Sequence, residues 1–110
     1  VHPKFAKTLP KRIYDTLLAD SKLLNPIGIA NTLRRTTPNA CIRDLAINNR
    51  SPALLCWGNR EKRFVALKEW AETNMPNLQI SAIEAGHAVN MQDAEAFNLA
   101  VGSFIRQCDT

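Results

Sequence analysis

Between Pro52 and Gly58 stand five apolar residues in a row, Ala53-Leu54-Leu55-Cys56-Trp57. A strand wetted on one face alternates apolar and polar side chains. An unbroken run suits a strand covered on both faces, the situation inside a parallel sheet. A parallel neighbour needs a crossover rather than a tight turn, and the next residues supply one. Phe64, Leu67, Ala71 and Met75 fall on one helical stripe, which predicts a helix over 63–75. Pro76 ends it, because proline cannot continue the hydrogen-bonded ladder. Over 78–83, Leu78, Ile80 and Ala82 alternate with Gln79, Ser81 and Ile83, a second strand. Asp93 is a natural N-cap for a last helix, with Glu95 in its positive first turn. Phe97, Val101, Phe104, Ile105 and Cys108 are expected to be buried along one side of that helix. The expected class is therefore α/β, with a βαβα unit over residues 51–110. Two strands alone are too few for independent stability, so this unit calls for the rest of a sheet.

Upstream the pattern is helical. Pro10 can open a helix with Ile13, Leu17 and Leu18 on one face, running to about Ala19. Asn25-Pro26 reads as a second helix start, with Ile29, Ala30 and Leu33 on one side, and Thr36-Thr37-Pro38-Asn39 breaks it. The polar cluster Asn48-Asn49-Arg50-Ser51-Pro52 marks the boundary of a helical cap or linker spanning 1–50. There is no internal repeat and no low-complexity stretch.

Hydrophobic residues make up 45% of the 110, too many for a disordered chain. No apolar run approaches the roughly 20 residues of a membrane span, and no signal peptide is expected at Val1-His2-Pro3-Lys4. The missing initiator Met leads us to expect a processed chain or one that starts within a longer protein. Three cysteines, Cys41, Cys56 and Cys108, lack CxxC or CxxH spacing, so neither a metal site nor a disulfide framework is expected. A cytoplasmic setting fits them, and Cys56 in its apolar run reads as a buried, inert thiol. The net charge is +4, and residues 1–63 carry twelve Lys/Arg against four Asp/Glu. These cations are scattered singly or in pairs without interleaved aromatics, which suits a solvated surface rather than a nucleic-acid site.

In open parallel sheets, ligands bind beyond the C-terminal ends of the strands. Two loops stand there: Trp57-Gly58-Asn59-Arg60-Glu61 and Glu84-Ala85-Gly86-His87-Ala88-Val89-Asn90. The order is proline, apolar strand, Gly-x-x-acid, helix, strand, Gly-His, then a helix beginning near Phe97-Asn98. That order resembles the end of the α/β-hydrolase superfamily. Many members read Gly-His, four residues, Glu-x-Pro, two residues, Phe-Asn, and here Gln92 and Ala94 occupy the Glu and Pro places. The resemblance covers residues 51 to 107. It extends loosely over 25 to 50, where Arg43-Asp44-Leu45 resembles the exit from a cap.

The resemblance implies the last two parallel strands of an α/β-hydrolase fold with flanking helices, preceded by a helical cap or linker. It makes His87 the triad histidine, taking a proton from a nucleophile and returning it to the leaving group. Gly86 would let the backbone turn sharply before it. It makes Glu61 the acid that orients the imidazole. A plainer reading of Glu61 stands beside this one, a solvated carboxylate paired with Arg60, Lys62 or Arg63. Asp44 reads as a turn residue and Glu84 as a loop-edge surface charge. None of Ser21, Ser51, Ser81 or Ser103 lies in Gly-x-Ser-x-Gly, and in this family the nucleophile precedes both acid and histidine. The expected activity is hydrolysis of a carboxylic ester, lactone or similar small substrate, without a cofactor. It would require an N-terminal, nucleophile-bearing part of the same hydrolase, and the expected protein partner is that part or a second copy of the chain. The 110 residues alone are expected to be inactive. The alternative is a non-catalytic ligand- or protein-binding module on the same fold.

Overall fold

A computed structural model describes residues 8–109. The chain divides into two compact units between Arg43 and Asp44.

The first unit is helical. Helix α1 (Lys11–Ser21) follows Pro10, whose carbonyl accepts the N–H of Tyr14 at 3.1 Å. Helix α2 (Pro26–Arg35) starts where Asn25-Pro26 predicts. The Asn25 side chain accepts the N–H groups of Ile27 at 2.9 Å and Gly28 at 3.3 Å, and Pro26 occupies a position whose N–H would have no helical partner. Arg34 and Arg35 sit in the last turn, where the helix dipole favours cations. A 3₁₀ turn, Thr37–Asn39, then carries the expected break. Apolar side chains here are largely in solvent, including Leu23 and Ile27, 84% and 72% exposed. Helix α3 (Arg43–Ala46) is a single turn at the division.

The second unit is a mixed helix–strand structure on a two-stranded parallel sheet. Strand β1 (Ala53–Gly58) pairs with β2 (Leu78–Ile83) in unbroken register from Ala53 opposite Leu78 to Gly58 opposite Ile83. Helix α4 (Val65–Asn74) connects them, and α5 (Val89–Gln92) and α6 (Ala94–Cys108) follow β2. Side chains alternate across the pleat. Trp57 lies on the α4 side, where the Lys68 ammonium stands 6.0 Å from its ring. Cys56 lies on the other, against a core of Ile83, Ala85 and Val89 that Ala96 and Phe97 also join. Asp93 caps α6 as its sequence suggests, accepting the N–H of Ala96 at 3.0 Å.

Three expectations are corrected. Helix α4 starts at Val65 rather than at about 63, since Arg63 and Phe64 lie in a bend that carries the Arg63 N–H onto the Glu61 side chain. The run Ala53–Trp57 is half-buried, not covered on both faces, because two strands and three helices give it too few neighbours. Along α6, Val101 and Phe104 are half-buried, but Ile105 is 53% exposed and Cys108 is exposed. The apolar stripe of α6 outruns what the narrow sheet can cover. Among the described residues no helix is long and apolar enough to cross a membrane.

Candidate active site

The loops that leave β1 and β2 are fastened to each other before their side chains meet. The Asn59 N–H donates to the Ile83 carbonyl and the Arg60 N–H to that of Ala85, both at 2.9 Å, which extends the sheet's pairing past its last strand residues. The Arg60 guanidinium reaches the Glu84 carbonyl at 2.7 Å, and the Asn59 amide donates to the Glu84 carboxylate. Glu61 is turned back by its own N–H, which donates to the Gly58 carbonyl at 2.8 Å. Gly58 is where a side chain is forbidden. A Cβ there would stand 2.1 Å from the Gly86 carbonyl oxygen and 2.5 Å from that of Ala85, both backbone atoms. The chain bends at Glu84, Ala85 and His87, and Gly86 between them has no positive φ. Its N–H donates to Gln92 Oε1 at 2.6 Å.

Glu61 and His87 meet at the C-terminal ends of the two strands. His87 Nδ1 lies 2.8 Å from Glu61 Oε2, with the imidazole 62% exposed and the carboxylate side chain 5% exposed. The other carboxylate oxygen, Oε1, accepts the Arg63 N–H at 2.5 Å. Burial pushes the Glu61 carboxyl up. The N–H of Arg63, the hydrogen bond and charge of His87 and the N–H of Lys62 together outweigh it and hold the group below its ordinary value. Glu61 is therefore an ionised acceptor at neutral pH, and the solvated-carboxylate reading does not survive: Arg60 turns to Glu84, and Arg63 approaches Glu61 through its backbone. Phe64 flanks the imidazole, ring centroids 5.1 Å apart and planes 39° apart, and the Arg63 guanidinium lies 5.5 Å from the Phe64 ring. An open cleft of 280 Å³ adjoins the pair, lined by Leu55, Trp57, Phe64, Leu67 and Ala71 as well as Glu61 and His87.

The remaining candidates lie elsewhere. Asp44 is in the first turn of α3, and Glu84 is exposed and engaged with Asn59. Cys41 and Cys108 are exposed free thiols, and burial pushes the half-buried Cys56 thiol up. Among the described residues, no three His, Cys, Asp or Glu side chains are grouped to hold a metal ion. Reading the sequence passed over four contributors: Gly58 as a steric requirement, Arg60 as the link between loops, Phe64 as the imidazole's neighbour and Gln92 as the acceptor for Gly86. Gly58 carried a visible signal, a glycine closing an apolar strand, and so did Gln92, which stands at the Glu place of the motif that the sequence resembles.

No protein-family model, curated protein or solved structure matches this chain.

Proposed function

We propose that this chain is the acid–base portion of a hydrolase of the α/β-hydrolase type, cleaving a carboxylic ester, lactone or similar small substrate. One observation carries the reading. A buried, ionised carboxylate holds Nδ1 of an exposed imidazole at 2.8 Å, on adjacent loops beyond the C-terminal ends of two parallel strands. Glu61 fixes the ring so that Nδ1 carries the proton, which leaves Nε2 to act as the base. Nε2 takes the proton of a nucleophile's hydroxyl as its oxygen attacks the ester carbonyl. The imidazolium, balanced by Glu61, returns that proton to the departing alkoxide. In the second half, Nε2 takes a proton from water as the hydroxide releases the carboxylic acid, and the nucleophile recovers its hydrogen. The nucleophile and oxyanion donors are assigned to a partner segment outside these 110 residues, since no serine here has the required flanking glycines. A cytoplasmic setting belongs to the same reading.

The test uses the protein together with the segment that carries its nucleophile, assayed with p-nitrophenyl acetate and labelled with a fluorophosphonate. His87→Ala is expected to lower turnover by roughly 10³-fold or more and to suppress labelling, with the fold retained. Near-normal turnover by that variant overturns the assignment. The 280 Å³ cleft favours a second reading, a module that binds a small apolar ligand without reacting. Binding of phenol or benzoate to protein whose partner segment lacks Gly-x-Ser-x-Gly would support it.

A further inference from the structure

We propose that Gln92 is the positioning residue for the acid–base pair: its amide oxygen takes the Gly86 N–H at 2.6 Å and sets the direction in which His87 leaves the backbone. The inference deepens the reading above, because the pair matters for turnover only if His87 is the base. The geometry itself exists with or without turnover.

The segment before His87 is held from opposite sides. From the β1 side, Gly58 lets the carbonyls of Ala85 and Gly86 approach so closely that no side chain fits, and the Ala85 carbonyl takes the Arg60 N–H at 2.9 Å. Those contacts place the carbonyl oxygens. The Ala85 carbonyl and the Gly86 N–H are opposite edges of one planar peptide, so Arg60 holds that plane at its oxygen and Gln92, from the α5 side, holds it at its N–H. Gln92 is the last residue of α5, whose Val89 is buried in the core beside Ile83 and Ala85. The acceptor is therefore carried on an anchored element, and the hydrogen bond is partly buried, where loss of one partner is felt most. Reach is decisive. Asparagine is one methylene shorter, which draws the oxygen back by about 1.5 Å and beyond hydrogen-bonding distance. Glutamate has the same reach and still accepts.

The experiment compares Gln92→Asn and Gln92→Glu in the full, ¹⁵N-labelled chain by NMR. It reads hydrogen exchange at the Gly86 amide and the resonance of the His87 Nδ1 proton shared with Glu61, while Trp57 and Trp70 fluorescence follows thermal unfolding. In Gln92→Asn, Gly86 is expected to exchange about tenfold faster, the size of one net hydrogen bond. The Nδ1 resonance is expected to vanish by exchange with water, and the unfolding midpoint to stay within a few degrees of the parent. Gln92→Glu is expected to keep both signals. Three results overturn the proposal: Gln92→Asn keeps both signals, it loses them only along with global stability, or Gln92→Glu behaves as Gln92→Asn does. These signals decide the role of Gln92 even if no ester is hydrolysed, so its failure and that of the hydrolase reading remain distinguishable.

Discussion

At the scale of single residues, the site depends on one position that must be small and one that must be charged. A methyl at residue 58 would meet backbone oxygens at 2.1 and 2.5 Å, atoms that cannot rotate away as a side chain would. Gly58→Ala is expected to cost about 3 kcal/mol or more, the upper end of ordinary overpacking. Chemical denaturation measures that cost, and the His87 Nδ1 proton reports whether the loops have parted. Glu61 makes a prediction in pH. Its folded carboxyl titrates below the unfolded one, so its contribution to stability is complete above the ordinary glutamate range and is lost as pH falls through the folded value. The stability of the parent should therefore drop more steeply than that of Glu61→Gln below about pH 4.5. Parallel acid-unfolding curves would show that the carboxylate is not held as described. The placement of His87 and Glu61 on loops beyond the two strands was legible from the order of the chain, and their pairing was what the family resemblance implied. The burial of Glu61 was not legible, because Arg60, Lys62 and Arg63 around it look like solvent and side-chain partners. Only the folded loop reveals that backbone N–H groups do that work.

At the scale of elements, the boundaries were set by local chemistry and were correspondingly readable. Asn25-Pro26 and Asp93 start helices because a short polar oxygen reaches the first free N–H groups, a requirement that involves no distant residue. Asp93→Ala is expected to cost about 1 kcal/mol. The loss should be seen as earlier fraying of α6 by amide exchange at Ala96 and Phe97, with β1 exchange unchanged at first. Uniform acceleration throughout the unit would mean that the cap acts on the whole unit and not on the helix end. The single turn α5 was not legible: four residues, Val89–Gln92, show no period, and the turn exists because Val89 is drawn into the core beside Ile83 and Ala85. The exposed end of α6 was misread for the converse reason. A periodic stripe tells which face is apolar, but the width of the sheet decides how much of it is covered.

At the scale of the whole molecule, apolar surface is left over within each unit. Leu23, Leu24, Ile27 and Leu33 are more than half exposed in the first unit, and Leu99 is 69% exposed in the second. In a two-stranded sheet each strand has one edge with no strand beside it, a template for further pairing. Fully burying a Leu-sized side chain is worth roughly 1.5–3 kcal/mol, so several left in water weigh heavily against a usual margin of about 5–15 kcal/mol. The purified chain is expected to sediment as more than a 12.3 kDa monomer, or to become rigid around Trp57 and Trp70 only when further strands are supplied. A cooperative monomer with both indoles in ordered surroundings would show that the unit is self-sufficient. The stitching of the two loops has a different consequence. The bonds that join them, from Asn59 and Arg60 to Ile83, Glu84 and Ala85 and from Glu61 to His87, are made within residues 59–87. Such a stretch is portable: grafted onto another parallel sheet in the same register, it would bring Glu61, His87 and their separation along together. Under the proposed reading, lineages that exchange or rebuild the surrounding chain would change what is acted upon while inheriting the pair unaltered.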